Sequence, residues 1–113
     1  MSQSTRLAVE PVRSRDFSTI IGTFLSVGDP LNHASSFIVF QNLTDAPVMV
    51  SFNGVYDNQP LPSFGGLALD VTSNKSIEGG FYAAEGTQFY VRHLGVAPTA
   101  GKFYVTNYYG DEL

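Results

Sequence analysis

From residue 17 onward the apolar residues come in short bursts that alternate with polar ones. The segments FSTIIGTFLSV (17–27), SSFIVFQNL (35–43), PVMVSF (47–52), GLALDV (66–71), TQFYVRHL (87–94) and KFYVTNYY (102–109) are rich in β-branched and aromatic residues, and Gly, Pro, Asn or Asp bounds each of them. Short β-strands have this composition and punctuation. The alternation is clearest late in the chain, where Phe89 and Val91 share one face while Tyr90 and Arg92 share the other, and where Phe103 and Val105 likewise oppose Tyr104 and Thr106. Period-two patterning of this kind belongs to antiparallel strands with one face in a core. Glycine or proline interrupts every candidate helix before it reaches three turns. The pattern therefore predicts an all-β fold, a small antiparallel β-sandwich or jelly-roll-like domain. Its expected core includes Ile38, Phe40, Val48, Val50, Phe89, Val91, Phe103 and Val105.

Asn53-Gly54 is the best turn dipeptide, because both residues tolerate positive φ. The following VYDNQPLPSFGG holds Pro60, Pro62 and two glycines. It reads as a surface loop that cannot be a central strand. Residues 1–16 are polar, contain Pro11 and show neither period, so they are expected to form an extended N-terminal arm ahead of a β-sandwich domain at 17–113.

The chain has 113 residues, enough for one domain with one core. Charged residues make up 14% of it, against about 25% in typical soluble domains. A surface this neutral favours contact with another protein. The formal net charge of −4 argues against a general nucleic-acid binder, although three of the six basic residues, Arg6, Arg13 and Arg15, fall within the first fifteen positions. Cysteine is absent, so disulfides and thiolate metal sites play no part. The N-terminus lacks the apolar stretch of a secretory signal, and no run approaches the ~18 apolar residues that span a bilayer, so no membrane is expected as a partner. Without secretion, the sequons at Asn42 and Asn74 and the terminal GDEL are chance matches.

One stretch, DVTSNKSIEGG (70–80), superficially resembles a phosphate-binding loop. That motif needs glycine six residues before its lysine and again immediately before it. Those positions relative to Lys75 hold Leu69 and Asn74. No helix is predicted after the loop to receive a phosphate. A turn in which Ser73 and Asn74 bond to the local backbone is the expected structure. Hydrolytic chemistry fares no better: His33 and His93 are the only histidines, no serine sits in a Gly-x-Ser-x-Gly elbow, and the acids are solitary apart from Asp111-Glu112. His93 is read as a strand residue with a satisfied ring nitrogen. No catalytic residue, metal ligand or cofactor site is assigned, and the chain is expected not to be an enzyme.

The aromatic content is all tyrosine and phenylalanine, often in adjacent pairs, as in GGFYAAEG and FYVTNYY. One member of each pair must enter the core while the other faces outward. An outward row of Tyr82, Tyr90 and Tyr104 has three readings: a carbohydrate platform, a protein interface, or cross-strand pairing on a solvated face.

Over residues 48–110, about half the chain, the sequence resembles a family of small tailed-bacteriophage virion proteins. The pieces that carry the likeness are a strand ending SFNGV, a TSNK loop before Gly80-Phe81, an EGTQFYV strand and a final FYVTNYYG. The resemblance implies a non-enzymatic structural protein of the virion, assembled in the host cytoplasm. It would stabilise the capsid as a decoration or cement subunit, or form a head-to-tail neck ring; a carbohydrate-binding module of a fibre or receptor-binding tip is the alternative. The implied partners are the major capsid protein or portal and neck proteins, with homo-oligomerisation and no sequence-specific nucleic acid. The arm is then the first candidate contact. Its arginines, Arg6, Arg13 and Arg15, are expected to pair with carboxylates of a neighbouring subunit, and Leu7, Val9 and Val12 to supply apolar anchors; the outer tyrosines come second.

Overall fold

The computed structural model describes residues 5–70 and 85–112. Its strands are β1 (Thr5–Val9), β2 (Arg13–Asp16), β3 (Leu25–Ser26), β4 (Phe37–Asn42), β5 (Val48–Ser51), β6 (Gln59–Leu61), β7 (Gly66–Asp70), β8 (Tyr90–His93) and β9 (Lys102–Glu112). A five-stranded antiparallel sheet runs β1-β9-β4-β7, with β2 also paired to β9, and a four-stranded antiparallel sheet runs β3-β8-β5-β6. The pairing is nested from the outside in: β1 and β2 with β9, β3 with β8, β4 with β7, and β5 with β6. A long hairpin wrapped around itself produces this order, which is the jelly-roll arrangement. The all-β expectation holds.

Register explains the core. Phe40 lies opposite Val105 on one side and Leu67 on the other, while Val50 lies opposite Val91. Directly opposed residues point to the same side of a sheet, so each row of apolar residues turns inward together. All eight expected core residues are buried, joined by Ile20, Val27, Leu31 and Leu61. The Phe40 and Phe89 rings meet edge-to-face at 5.2 Å, one from each sheet. Burying each such side chain is worth about 1.5–3 kcal/mol, and the two sheets share this one cluster.

The differences from expectation have local causes. Residues 17–27 do not form one strand. The carboxylate of Asp16 accepts hydrogen bonds from the Ser18 amide and hydroxyl, which winds Phe17–Thr19 into a single 3-10 turn. Only Leu25 and Ser26 then pair with β8. The Asn53-Gly54 turn is present: Asn53 Oδ1 accepts from the amides of Val55 and Tyr56, and Gly54 has φ of +79°. The proline-rich stretch after it contributes the three-residue β6, with Pro60 on an edge where a missing N–H is tolerated. His93 lies in β8 as expected, and its Nδ1 is buried without a hydrogen-bond partner among the described residues. Asn42 is buried, its side-chain amide donating to the carbonyls of Ala46 and Pro62, as a chance sequon allows. The loop carrying Lys75 lies outside the described residues.

The largest correction concerns the N-terminus. Residues 5–9 and 13–16, expected from their polarity and lack of period to belong to an extended arm, pair with β9 of their own chain. β9 is eleven residues long, and its far half would otherwise lack a neighbour on that side. Backbone pairing to an existing strand asks little of side-chain composition, and polarity therefore did not exclude it.

Candidate assembly surface

The β1 register pairs residues whose numbers sum to 117, as in Ala8 with Tyr109, whereas β2 pairs residues summing to 118, as in Arg13 with Val105. One extra residue has been inserted at Pro11-Val12, which is a β-bulge. Proline fits there because a bulged residue needs no ladder donor. The bulge turns both Glu10 and Arg13 inward, although they are three residues apart and would face opposite ways in a regular strand.

That geometry builds a buried polar anchor. Arg13 Nη2 donates to Glu10 Oε1 at 2.7 Å and to the Pro30 carbonyl, and its Nε donates to the Asp29 carbonyl. The Asn32 amide also donates to Glu10 Oε1, and His33 Nδ1 lies 2.8 Å from Oε2. The His33 ring stacks flat on Tyr109 at 3.7 Å. Burial by itself would raise the Glu10 pKa, but the hydrogen bonds from His33, Arg13 and the Asn32 amide, with the Arg13 charge, outweigh it and hold the carboxyl below its ordinary value. Gly28, at φ of +65°, lies over the Arg13 stem, where a Cβ would come within 2.8 Å of Cγ. Sequence reading missed this cluster. Glu10 stood as a lone acid in a polar segment, and the one available signal was the proline beside it.

Two of the three arginines assigned to a neighbouring subunit are thus engaged at home. Arg13 is buried, and Arg15 donates to the carbonyls of Ser26 and Thr19. Arg6 sits opposite Asp111 in the β1–β9 register. The apolar members of the segment remain outside: Leu7 is 70% exposed, Val9 53% and Val12 55%. The proposed tyrosine row is not formed by the members that can be placed. Tyr90 lies between buried Phe89 and Val91 on the four-stranded sheet, and Tyr104 between buried Phe103 and Val105 on the five-stranded one, so they look outward on opposite sides. Tyr82 lies outside the described residues. Alternation fixes which way a residue faces within its strand; which sheet the strand joins depends on the topology.

The two outer faces differ. On the four-stranded sheet Tyr90 is roofed by the loop after β5, where a Cβ on Gly54 would stand 3.2 Å from its ring. Beside it Arg92 bonds Asp57 of the same loop at 2.9 Å and lies over the Phe24 ring. On the five-stranded sheet, Leu7, Val9, Phe37, Val39, Ala68 and Tyr108 share the outer side by register. Leu7, Phe37, Val39 and Tyr108, with Ser36, line an open groove of about 380 Å³. No side chain in that groove is charged. No group of three or more His, Cys, Asp or Glu among the described residues is placed to hold a metal ion. No family model, curated protein or solved structure matches the chain.

Proposed function

We propose that this chain is a non-enzymatic structural subunit of a bacteriophage virion, of the decoration or cement kind, which attaches to the shell and stabilises it. The observation that carries the reading is the uncharged, largely apolar groove on the outer side of the five-stranded sheet, lined by Leu7, Phe37, Val39 and Tyr108 with Val9 exposed beside it. An apolar sheet face open to water is a standing cost that contact with another protein removes. The low charge content supports the same reading. So does the jelly-roll order, which recurs in viral capsid proteins, although a fold alone assigns no function and this support is analogy. The split between Tyr90 and Tyr104 takes away the platform on which the carbohydrate reading rested.

Quantitative mass spectrometry of purified particles from the phage that encodes the chain tests the proposal. Its peptides should be present in a fixed ratio to the major capsid protein, and Val39→Asp should reduce that ratio while leaving the purified protein folded. Peptides confined to the soluble lysate would overturn the reading.

A further inference from the structure

Five of the described strands lie at sheet edges, and β7, as long as β1, carries the charged Asp70 at its end and runs straight on into residues outside the described ones. β3 offers two residues, β6 offers three with Pro60 in the middle, and β2 offers four, three of them charged. Short length, proline and charge are the usual devices that stop an edge from recruiting another strand. β1 has none of them beyond Arg6: it is five residues long and reads TRLAV.

Its hydrogen-bonding direction is fixed. The Glu10 amide donates to the Asn107 carbonyl at 3.0 Å in the register that β1 continues. Antiparallel pairs alternate between bonded and non-bonded positions. Ala8 and Arg6 therefore bond β9, while Thr5, Leu7 and Val9 turn their N–H and C=O groups to the open edge. Leu7 and Val9 point their side chains to the apolar outer face. An incoming strand must accordingly bring apolar residues at every second position, and β1 itself has that pattern.

We propose that β1 pairs with β1 of a second copy of this chain about a two-fold axis at Leu7. That register sets Leu7 against Leu7 and Thr5 against Val9 in both directions, so every outward-turned backbone group of β1 finds a partner. Three bonded pairs, each exchanging two N–H···O bonds, close the seam. Arg6 falls opposite Ala8, so no like charges are opposed. Shifting the axis by one residue either way leaves an outward-turned residue of β1 unpaired or opposes it to Pro11. The result is one continuous sheet across two copies, with the apolar faces of both on the same side and joined through the Leu7 pair.

The proposal rests on the assembly reading for its purpose, yet the two fail separately, because self-association is measured on the isolated protein and virion membership on particles. Sedimentation equilibrium of the full chain should show a reversible dimer. Leu7→Pro removes an outward N–H without touching the Arg6 and Ala8 bonds to β9, and should weaken the dimer at least tenfold. Leu7→Glu, which opposes two carboxylates at the axis, should do the same. Hydrogen exchange supplies a second readout: the Leu7 and Val9 amides should gain protection with protein concentration, while the Ala8 amide is protected at all concentrations. A wild-type chain that stays monomeric at about 1 mM, or a dimer indifferent to both substitutions with no alternation in exchange, would overturn the seam.

Discussion

The two outer faces of this sandwich obey the same alternation rule and end differently. On the four-stranded sheet, Tyr90 and Arg92 point outward and the chain answers them itself, laying Gly54 over the tyrosine ring and Asp57 against the guanidinium. On the five-stranded sheet, Phe37, Val39 and Tyr108 point outward and line an open groove with Leu7, while Val9 stands exposed at the margin. An outward aromatic is therefore not evidence of an interface until its own loops have been accounted for. Tyr90, one of the tyrosines that looked like a binding platform, is the satisfied case, and the face that carries Leu7, Val39, Phe37 and Tyr108 is the open one.

The comparison presupposes one core that serves both sheets, and the largest predicted effect breaks it. Phe40 is buried and contacts Phe89 and Phe52 across the sandwich. Phe40→Ala should cost about 3–5 kcal/mol, measured by urea denaturation, with both faces lost in a single transition. A smaller loss confined to one sheet would show that the sheets are stabilised separately.

Next in size is the anchor that holds the N-terminal strands against β9 and so keeps Leu7 and Val9 on the open face. Glu10→Gln should cost roughly 2–3 kcal/mol near neutral pH, because Arg13 loses a charged acceptor in a buried site. The folded carboxyl ionises more readily than the unfolded one, so its contribution is complete above the ordinary value of 4.5 and drains away as pH falls through the lowered folded value. Asp16 and Asp45 are shifted the same way by hydrogen bonds from Ser18 and Thr99. The wild-type protein should therefore lose stability on acidification, and Glu10→Gln should flatten that loss without abolishing it. Parallel acid slopes in the two proteins would remove Glu10 from the account.

On the open face itself, Phe37 is half-buried and packs edge-on against Tyr108 at 6.2 Å. Phe37→Ser should cost only about 1 kcal/mol, since the ring is already in partial contact with water. Its main effect should be on association, read as lower occupancy on particles at nearly unchanged thermal stability. An unfolded variant would mean that the ring is structural and the face less open than its exposure indicates.

Much of the fold was legible because it depends on local alternation. Phe89 with Val91 and Phe103 with Val105 declared both their strands and their inward face, and the turn at Asn53-Gly54 declared the end of β5. What depends on pairing across the chain was not legible. Nothing in STRLAV or RSRD announces a strand until β9 is known to run eleven residues and to need a neighbour there. The inward turn of Glu10 follows from a one-residue mismatch between two registers, and no pattern within residues 5–16 encodes a register. The open face suffered similarly: Leu7, Val39 and Tyr108 lie on three different strands, and only the order β1-β9-β4 makes them neighbours.

The smallest predicted effect tests the satisfied side. Asp57 is half-exposed, and its partner Arg92 also donates to the His93 carbonyl and lies over the Phe24 ring at 5.4 Å. The ion pair is therefore one of three attachments, and the solvent around Asp57 screens it. Asp57→Asn should cost about 0.5 kcal/mol or less at low salt, and nothing measurable near 1 M, where the screening length falls to about 3 Å. Arg92→Ala removes all three attachments and should cost more, with a remainder that salt does not erase because the packing over Phe24 is not purely Coulombic. Thermal melts of both variants at two ionic strengths separate these terms. If Asp57→Asn instead loosened Tyr90 and raised association through the four-stranded sheet, that face would be held closed by a single weak pair, and the contrast between the two sides would be one of degree.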